Sequence, residues 1–277
     1  MKTVKQVVLE VTNILNSAKV AEPAANAEFI VCTLLDKTRT EILAFGNEIF
    51  PTEKEEILQT VVKQKIAGLP LEYIFKEASF LGRKFYVDNR VLIPRPETEE
   101  LVLKTQKKLK KIPQNILDLC TGSGCIGISL ALNYQSANVT CSDISLPALE
   151  IAKQNAKTHK TKIKFVLSDL FNNLTGVFDL IISNPPYIAE EDIKTLSAEV
   201  QKEPRLAQIG GKKGTEIIEK IISQAPQFLK KGGLLALEIG DKEGQKVLQF
   251  FSREFWCNVM IERDLSGLDR FVFARRI

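Results

Sequence analysis

Histidine is almost absent from the chain: a single residue among 277, His159, set in the basic stretch Lys157-Thr158-His159-Lys160. Chemistry that depends on an imidazole base or a poly-histidine metal site is thereby nearly excluded, and His159 itself reads as part of a solvated loop. Cysteine is sparse and odd in number. Cys32, Cys120, Cys125, Cys141 and Cys257 contain no Cys-x-x-Cys pair, which argues against a disulfide framework and a structural zinc site, so reduced, mostly buried thiols and no metal are expected. No apolar run approaches the roughly 18 residues of a membrane span. The first 17 residues mix charged and apolar side chains without a small-residue cleavage site, so a cytoplasmic protein with no membrane partner is expected. A net charge of +4 is too small to identify a polyanionic partner on its own.

With 44% apolar residues the chain can bury a sizeable core. From Thr3 to about Ala67 apolar residues recur at helical spacing, beginning with Val4, Val7, Val8, Val11, Ile14 and Leu15. Four helices are predicted, the second after Pro23, the third opened by Thr38 or Thr40, and the fourth opened by Pro51-Thr52-Glu53 and stopped by Gly68-Leu69-Pro70. No catalytic cluster falls here, so residues 1–70 read as a helical recognition domain. Over residues 71–92 the period shortens around the turn formers Gly82 and Asp88-Asn89, which predicts a β-hairpin linker. Residues 93–277 form the remaining domain. Its opening, Ile93-Pro94-Arg95-Pro96-Glu97-Thr98-Glu99-Glu100, predicts an extended corner followed by a helix. A plain helix start explains that stretch, and so does an Arg95 held between prolines as an anchor for a carboxylate.

After Lys111 strands and helices alternate. Strands are predicted at Asn115–Cys120, Asn138–Ser142, Ile163–Ser168, Phe178–Asn184, Gly233–Ile239, Trp256–Ile261 and Arg270–Ala274, and helices at Ile126–Asn133, Pro147–Lys157, Thr215–Leu229 and Lys242–Arg253. The pattern predicts an α/β fold, a doubly wound and mostly parallel seven-stranded sheet.

Four strand ends carry polar chemistry. The first runs into Cys120-Thr121-Gly122-Ser123-Gly124, where glycines let backbone approach a ligand and amides are exposed at a helix start. Without a following Gly-Lys-Ser/Thr it is not a Walker phosphate loop. The next strand ends in Asp143, placed to accept hydrogen bonds from two ribose hydroxyls. The third ends in Ser168-Asp169-Leu170-Phe171, where Asp169 suits an adenine amino group and Leu170 or Phe171 its ring. A hydride-transfer cofactor uses the loop and Asp143 alone. S-adenosylmethionine also gives a purpose to the strand Phe178-Asp179-Leu180-Ile181-Ile182-Ser183, whose end, Asn184-Pro185-Pro186-Tyr187, resembles the target-nitrogen site of amino- and amide-methylating enzymes. The prolines force the chain out of the sheet there and deliver Asn184 to its carboxyl edge.

Taken with Gly68-Leu69-Pro70-Leu71-Glu72-Tyr73-Ile74, Arg95-Pro96-Glu97-Thr98-Glu99, Leu117-Asp118-Leu119-Cys120-Thr121-Gly122-Ser123-Gly124, Glu203-Pro204-Arg205, Gly210-Gly211 and Asp264-Leu265-Ser266-Gly267-Leu268-Asp269-Arg270, the chain resembles the HemK/PrmC family over nearly its whole length. These are N5-glutamine methyltransferases acting on the Gly-Gly-Gln loop of peptide chain release factors. The resemblance implies a class I, Rossmann-like S-adenosylmethionine-dependent methyltransferase that leaves S-adenosylhomocysteine as product, works as a monomer in translation termination and takes no nucleic acid as direct substrate. It further implies that the Asn184 side-chain oxygen and the Pro185 carbonyl accept the two amide hydrogens, that Pro186 stiffens the loop, and that Tyr187 packs on the amide. Arg95 and Glu99 are expected at the substrate. Cys120 stands where the family has glycine, and Leu170 where it often has an aromatic, so both bear on cofactor affinity. A ribosomal-protein glutamine methyltransferase and a nucleic-acid adenine or cytosine methyltransferase are the alternatives.

Overall fold

A computed structural model describes all 277 residues. Two compact units emerge, one comprising residues 1–75 with 198–202, the other 76–197 with 203–277.

The first unit is helical: α1 (Val4–Ser17), α2 (Pro23–Leu35), α3 (Arg39–Ala44), α4 (Glu55–Ile66) and the short α5 (Leu71–Phe75). Thr3 and Thr38 open α1 and α3 with capping boxes, each hydroxyl accepting from the backbone three residues on while a Gln6 or Glu41 side chain returns the bond. The apolar stripe of α1, Val4, Val7, Val11 and Leu15, packs with Ala27, Ile30 and Val31 of α2 and with Val61 and Val62 of α4. In this unit Lys65, only 3% exposed, pairs with Glu199 at 2.7 Å.

The second unit opens with the hairpin β1 (Glu77–Phe80) and β2 (Arg83–Tyr86), then α6 (Pro96–Lys108). There follow β3 (Asn115–Leu119), α7 (Cys125–Asn133), β4 (Asn138–Asp143), α8 (Leu146–Thr158), β5 (Ile163–Leu167), β6 (Phe178–Ser183), β7 (Ile188–Ala189), β8 (Ile209–Gly211), α9 (Glu216–Phe228), β9 (Leu229–Glu238), α10 (Gly244–Leu248), β10 (Trp256–Arg263) and β11 (Asp269–Arg276). The expected seven-stranded sheet is present, in the order β10-β11-β9-β6-β3-β4-β5, with β11 antiparallel to both its neighbours and the rest parallel. Strand order reverses beside β3, with β4 and β5 on one side and β6 and β9 on the other. Crevices form at such switch points, at the carboxyl ends of the strands.

Several elements depart from the sequence reading. The hairpin is built into the second unit's core, where Phe80 and Phe85 meet edge to face with Leu101, Val102 and Ile128 nearby. Helix α10 covers only part of the expected 242–253 span, because its carboxyl end tightens into three-residue turns at Gln249, Phe250 and Phe251. His159 is no free loop residue: it caps α8, its Nε2 donates to the Lys84 carbonyl at 2.9 Å and its ring lies 4.7 Å from that of Phe85. All five cysteines are free, Cys125 and Cys141 buried and Cys257 exposed. No helix is long and apolar enough to cross a membrane.

Candidate active site

Parallel neighbours β3 and β6 deliver their following loops side by side. The loop after β3 turns on left-handed backbone at Cys120 (φ 59°), Gly122 (φ 54°) and Gly124 (φ 83°). Only glycine takes that conformation freely, so Cys120 carries strain. Thr121 N–H donates to the Ser142 carbonyl at 3.0 Å, and Gly122 N–H to Asp143 Oδ2 at 2.9 Å, which clips the loop to the end of β4. Asp143 Oδ1 accepts from Ser145 N–H at 2.9 Å. Burial pushes the Asp143 carboxyl up against those amide donors, and pushes the Cys120 thiol well above its ordinary value, so the thiol is neutral.

Beneath the loop lies Asp118, fully buried. Its Oδ2 accepts from the Thr121 hydroxyl and, at 2.9 Å, from Gly127 N–H; burial raises its pKa to about 7. Gly127 is compelled by this contact, since a Cβ there would fall 2.2 Å from Cys141 Sγ and 3.0 Å from Asp118 Oδ2. Asn155 of α8, 1% exposed, braces the loop from the other side, donating to the Ser123 carbonyl at 2.9 Å and exchanging bonds with the backbone of Tyr86 at 2.8 and 3.0 Å.

The loop after β6 begins at Asn184. Its Nδ2 donates to Thr98 Oγ1 at 2.9 Å, and Thr98 Oγ1 donates to Glu238 Oε2 at 2.7 Å. The Tyr187 hydroxyl donates to the other Glu238 oxygen at 3.2 Å. Glu238 ends β9, which runs parallel to β6 with Ser183 opposite Leu237, so Asn184 and Glu238 are next in register. Burial raises the Glu238 pKa to about 7 and carries the Tyr187 hydroxyl far above its usual range. Beyond Tyr187, β7 pairs with β8, and Gly210 sits so close that a Cβ would fall 1.9 Å from the Gly214 carbonyl oxygen and 2.7 Å from that of Pro186.

One cleft collects Cys120, Thr121, Gly122, Ser123, Asp143, Asn184 and Pro186, with Val91, Leu92, Ile144 and Ala148 as apolar wall. Gly124, Pro185 and Tyr187 are the chain neighbours of these lining residues. Other expected site residues are held elsewhere. Asp169 is exposed, while Leu170 is buried at a left-handed turn (φ 47°), its carbonyl accepting from Ser168 Oγ at 2.8 Å. Arg95, expected at the substrate, gives its guanidinium to Glu203 Oε1 at 2.6 Å: the carboxylate it anchors is the chain's own. Glu99 accepts from Leu81 N–H at 2.7 Å and holds the hairpin turn. Phe171, offered for the adenine ring, stacks instead on Phe228 at 4.7 Å. Sequence reasoning missed Thr98, Asn155 and Glu238. The signal for Glu238 was present as an acid closing the apolar run Leu234-Leu235-Ala236-Leu237.

Comparison with known proteins decides between the readings of this cleft. The PrmC N-terminal domain family matches residues 6–75, and the methyltransferase small domain family residues 98–205. A release factor glutamine methyltransferase from Nitratidesulfovibrio vulgaris is 38% identical over 95% of this chain and 91% of its own. The chain belongs to the release factor glutamine methyltransferase family. A ribosomal protein uL3 glutamine methyltransferase from Francisella tularensis is 39% identical, but over 72% of this chain and 65% of its own length. Among solved structures, a methyltransferase from Pyrococcus furiosus shares the fold, with a TM-score of 0.55 at 19% identity, covering 80% of this chain and 98% of that one.

Proposed function

We propose that the chain transfers a methyl group from S-adenosylmethionine to the side-chain amide nitrogen of the glutamine in the Gly-Gly-Gln loop of a peptide chain release factor. The observation that carries this reading is the setting of Asn184. Its amide nitrogen is tied back to Thr98, which turns Oδ1 away from that anchor as an acceptor for an incoming N–H. An amide acceptor site calls for just such a fixed oxygen, because a primary amide's lone pair is delocalised and has to be aimed.

The cleft suits the methyl donor. The position of a Gly122 Cβ has nothing within 4 Å, so the loop backbone offers an open face. Each Asp143 oxygen accepts one backbone N–H, which leaves lone pairs for vicinal hydroxyls. Thr121, Ser123 and Gly124 shape the floor beside Cys120. Asp169 and Leu170 lie outside the lining of the cleft but follow β5, the next strand along the same sheet edge; exposed Asp169 is assigned to the adenine end, with the turn at buried Leu170 setting its position. Bound there, S-adenosylmethionine supplies an electrophilic methyl group on a sulfonium.

The chain's own residues orient and enclose. Asn184 Oδ1 and the Pro185 carbonyl accept the two amide hydrogens of the glutamine and leave its nitrogen facing the donor; once the nitrogen has taken the methyl, one of those hydrogens leaves as a proton, and S-adenosylhomocysteine is the other product. Pro185 and Pro186 fix the backbone that carries the second acceptor. The Tyr187 ring, held by its hydroxyl on Glu238, covers the amide plane and keeps water out. Arg95 and Glu99 contribute by anchoring the loop and hairpin around α6, which carries Thr98.

The release factor is favoured over a ribosomal protein because the match to release factor enzymes extends through the helical first unit. Incubating the protein with labelled S-adenosylmethionine and, separately, a release factor, ribosomal proteins and nucleic acid tests the assignment by mass spectrometry. Label is expected on the Gly-Gly-Gln glutamine, lost in Asn184→Ala and absent from a release factor whose glutamine is alanine. Label on nucleic acid or a ribosomal protein alone overturns it.

A further inference from the structure

We propose that Thr98 and Glu238 are positioning residues that fix which way round the Asn184 amide sits. This inference rests on the reading of Asn184 Oδ1 as acceptor for the substrate amide.

An asparagine side chain is close to symmetric in shape, and its oxygen and nitrogen can exchange places at little steric cost. In the wrong orientation Asn184 would present a donor to the substrate's own N–H groups and repel them. Something has to choose. Thr98 has one hydroxyl proton, and Glu238 takes it: Thr98 Oγ1 lies 2.7 Å from Glu238 Oε2, with the two residues 3% and 1% exposed. Only lone pairs remain on Thr98 Oγ1 towards Asn184, 2.9 Å away, so it accepts and Asn184 must offer nitrogen there. Turning the amide over would set two oxygens against each other in a buried site, and the bond between them would go unmade. Ionised, Glu238 has no proton to return, so the carboxylate dictates, through one hydroxyl, that an oxygen faces the cleft.

Glu238 performs a second task with its other oxygen. Oε1 accepts from the Tyr187 hydroxyl at 3.2 Å, so one buried carboxylate sets both the amide acceptor and the ring beside it. Its remaining charged neighbours are Arg270, itself bound to Asp264 Oδ2 at 3.2 Å, and Glu97. Thr98 reaches this place because Pro96 starts α6 and sets Thr98 on the helix's first turn.

Steady-state kinetics of the full chain, with a release factor as substrate, separate positioning from a structural role. Thr98→Val keeps the shape and removes the hydroxyl; kcat should fall about 30-fold or more while KM and the calorimetric Kd for S-adenosylmethionine stay within about threefold. Thr98→Ser restores the hydroxyl and should return kcat to within about threefold of wild type. In Glu238→Gln the new amide can either accept from Thr98 or donate to it, so the choice is no longer forced; kcat should fall about tenfold, and adding Glu238→Gln to Thr98→Val should lower it by clearly less than that, the residual fall coming from the Tyr187 contact. A Thr98→Val enzyme with near wild-type kcat, a Thr98→Ser enzyme as impaired as Thr98→Val, or effects of Thr98→Val and Glu238→Gln that simply multiply would overturn the inference. Should wild-type protein methylate no glutamine at all, it is the functional reading above that fails.

Discussion

Gly210 and the carbonyl oxygen of Pro186 are in such close approach that a Cβ on the glycine would lie 2.7 Å from that oxygen. The glycine pair Gly210-Gly211 is therefore part of the mould for the Asn-Pro-Pro-Tyr loop, although it lies more than twenty residues downstream. Both atoms that a Gly210→Ala methyl would strike first, the Gly214 and Pro186 carbonyl oxygens, are backbone and cannot swing aside. Displacement of the loop by a fraction of an ångström should lower kcat about 10- to 100-fold. Calorimetric affinity for the cofactor, which depends on the loop after β3, should change little by comparison; wild-type kcat in the Gly210→Ala variant would show the loop to be formed without this contact.

Cys120 holds left-handed backbone with a side chain attached. That conformation costs about 1–2 kcal/mol in a residue with a Cβ, against about 0.5–1 kcal/mol of added unfolded-state entropy for glycine. Cys120→Gly should therefore stabilise the protein by roughly 0.5–1 kcal/mol, visible as a higher urea midpoint at unchanged m. A lower midpoint would mean that the thiol's packing outweighs the strain.

Asp118 and Glu238 both have folded pKa values of about 7, against ordinary values of 3.8 and 4.5. Between those limits the native chain holds protons that the unfolded chain has released, so stability should decline as pH rises through the window from about 4 to about 7. The carboxyls of Asp88, Asp179, Asp264 and Glu262 are shifted downwards and lose their contribution at lower pH, outside this window. Urea unfolding at about pH 5, 6 and 7.5 measures the slope. Glu238→Gln should flatten it, and an unchanged slope would assign the effect to other groups.

Glu203 has a side chain only 1% exposed, and Arg95 at 2.6 Å is one of its partners. Arg95→Met removes one partner from a buried carboxylate and should cost about 1–3 kcal/mol. Adding Glu203→Gln should recover most of the loss. If the double variant is as unstable as Arg95→Met alone, the pair is not the source.

Legibility in the sequence followed the range of the forces involved. The seven strands, the glycine loop, Asp143 and the Asn-Pro-Pro-Tyr turn are written in local pattern, and local pattern was enough to bring Cys120, Gly122, Asp143, Asn184 and Pro186 to one sheet edge. Contacts that close the site are between residues far apart in the chain. Thr98 and Glu238 are 140 positions apart, and no spacing rule joins a threonine in a helix start to a glutamate closing a strand. Arg95 was read as a carboxylate anchor, and the carboxylate proved to be Glu203, 108 positions on. Glu99 looked available because nothing near it in sequence reveals that the Leu81 amide needs a partner.

Lys65 carries a consequence for anyone dividing the molecule. Its ammonium is buried among the helices of the first unit, yet its counter-ion, Glu199, arrives from a five-residue segment encoded 134 positions later. A fragment ending at Phe75 would contain every α-helix of that unit and still inherit an orphaned buried cation. The autonomy of the helical unit is thus topologically incomplete: it is one body in space assembled from two addresses in the gene.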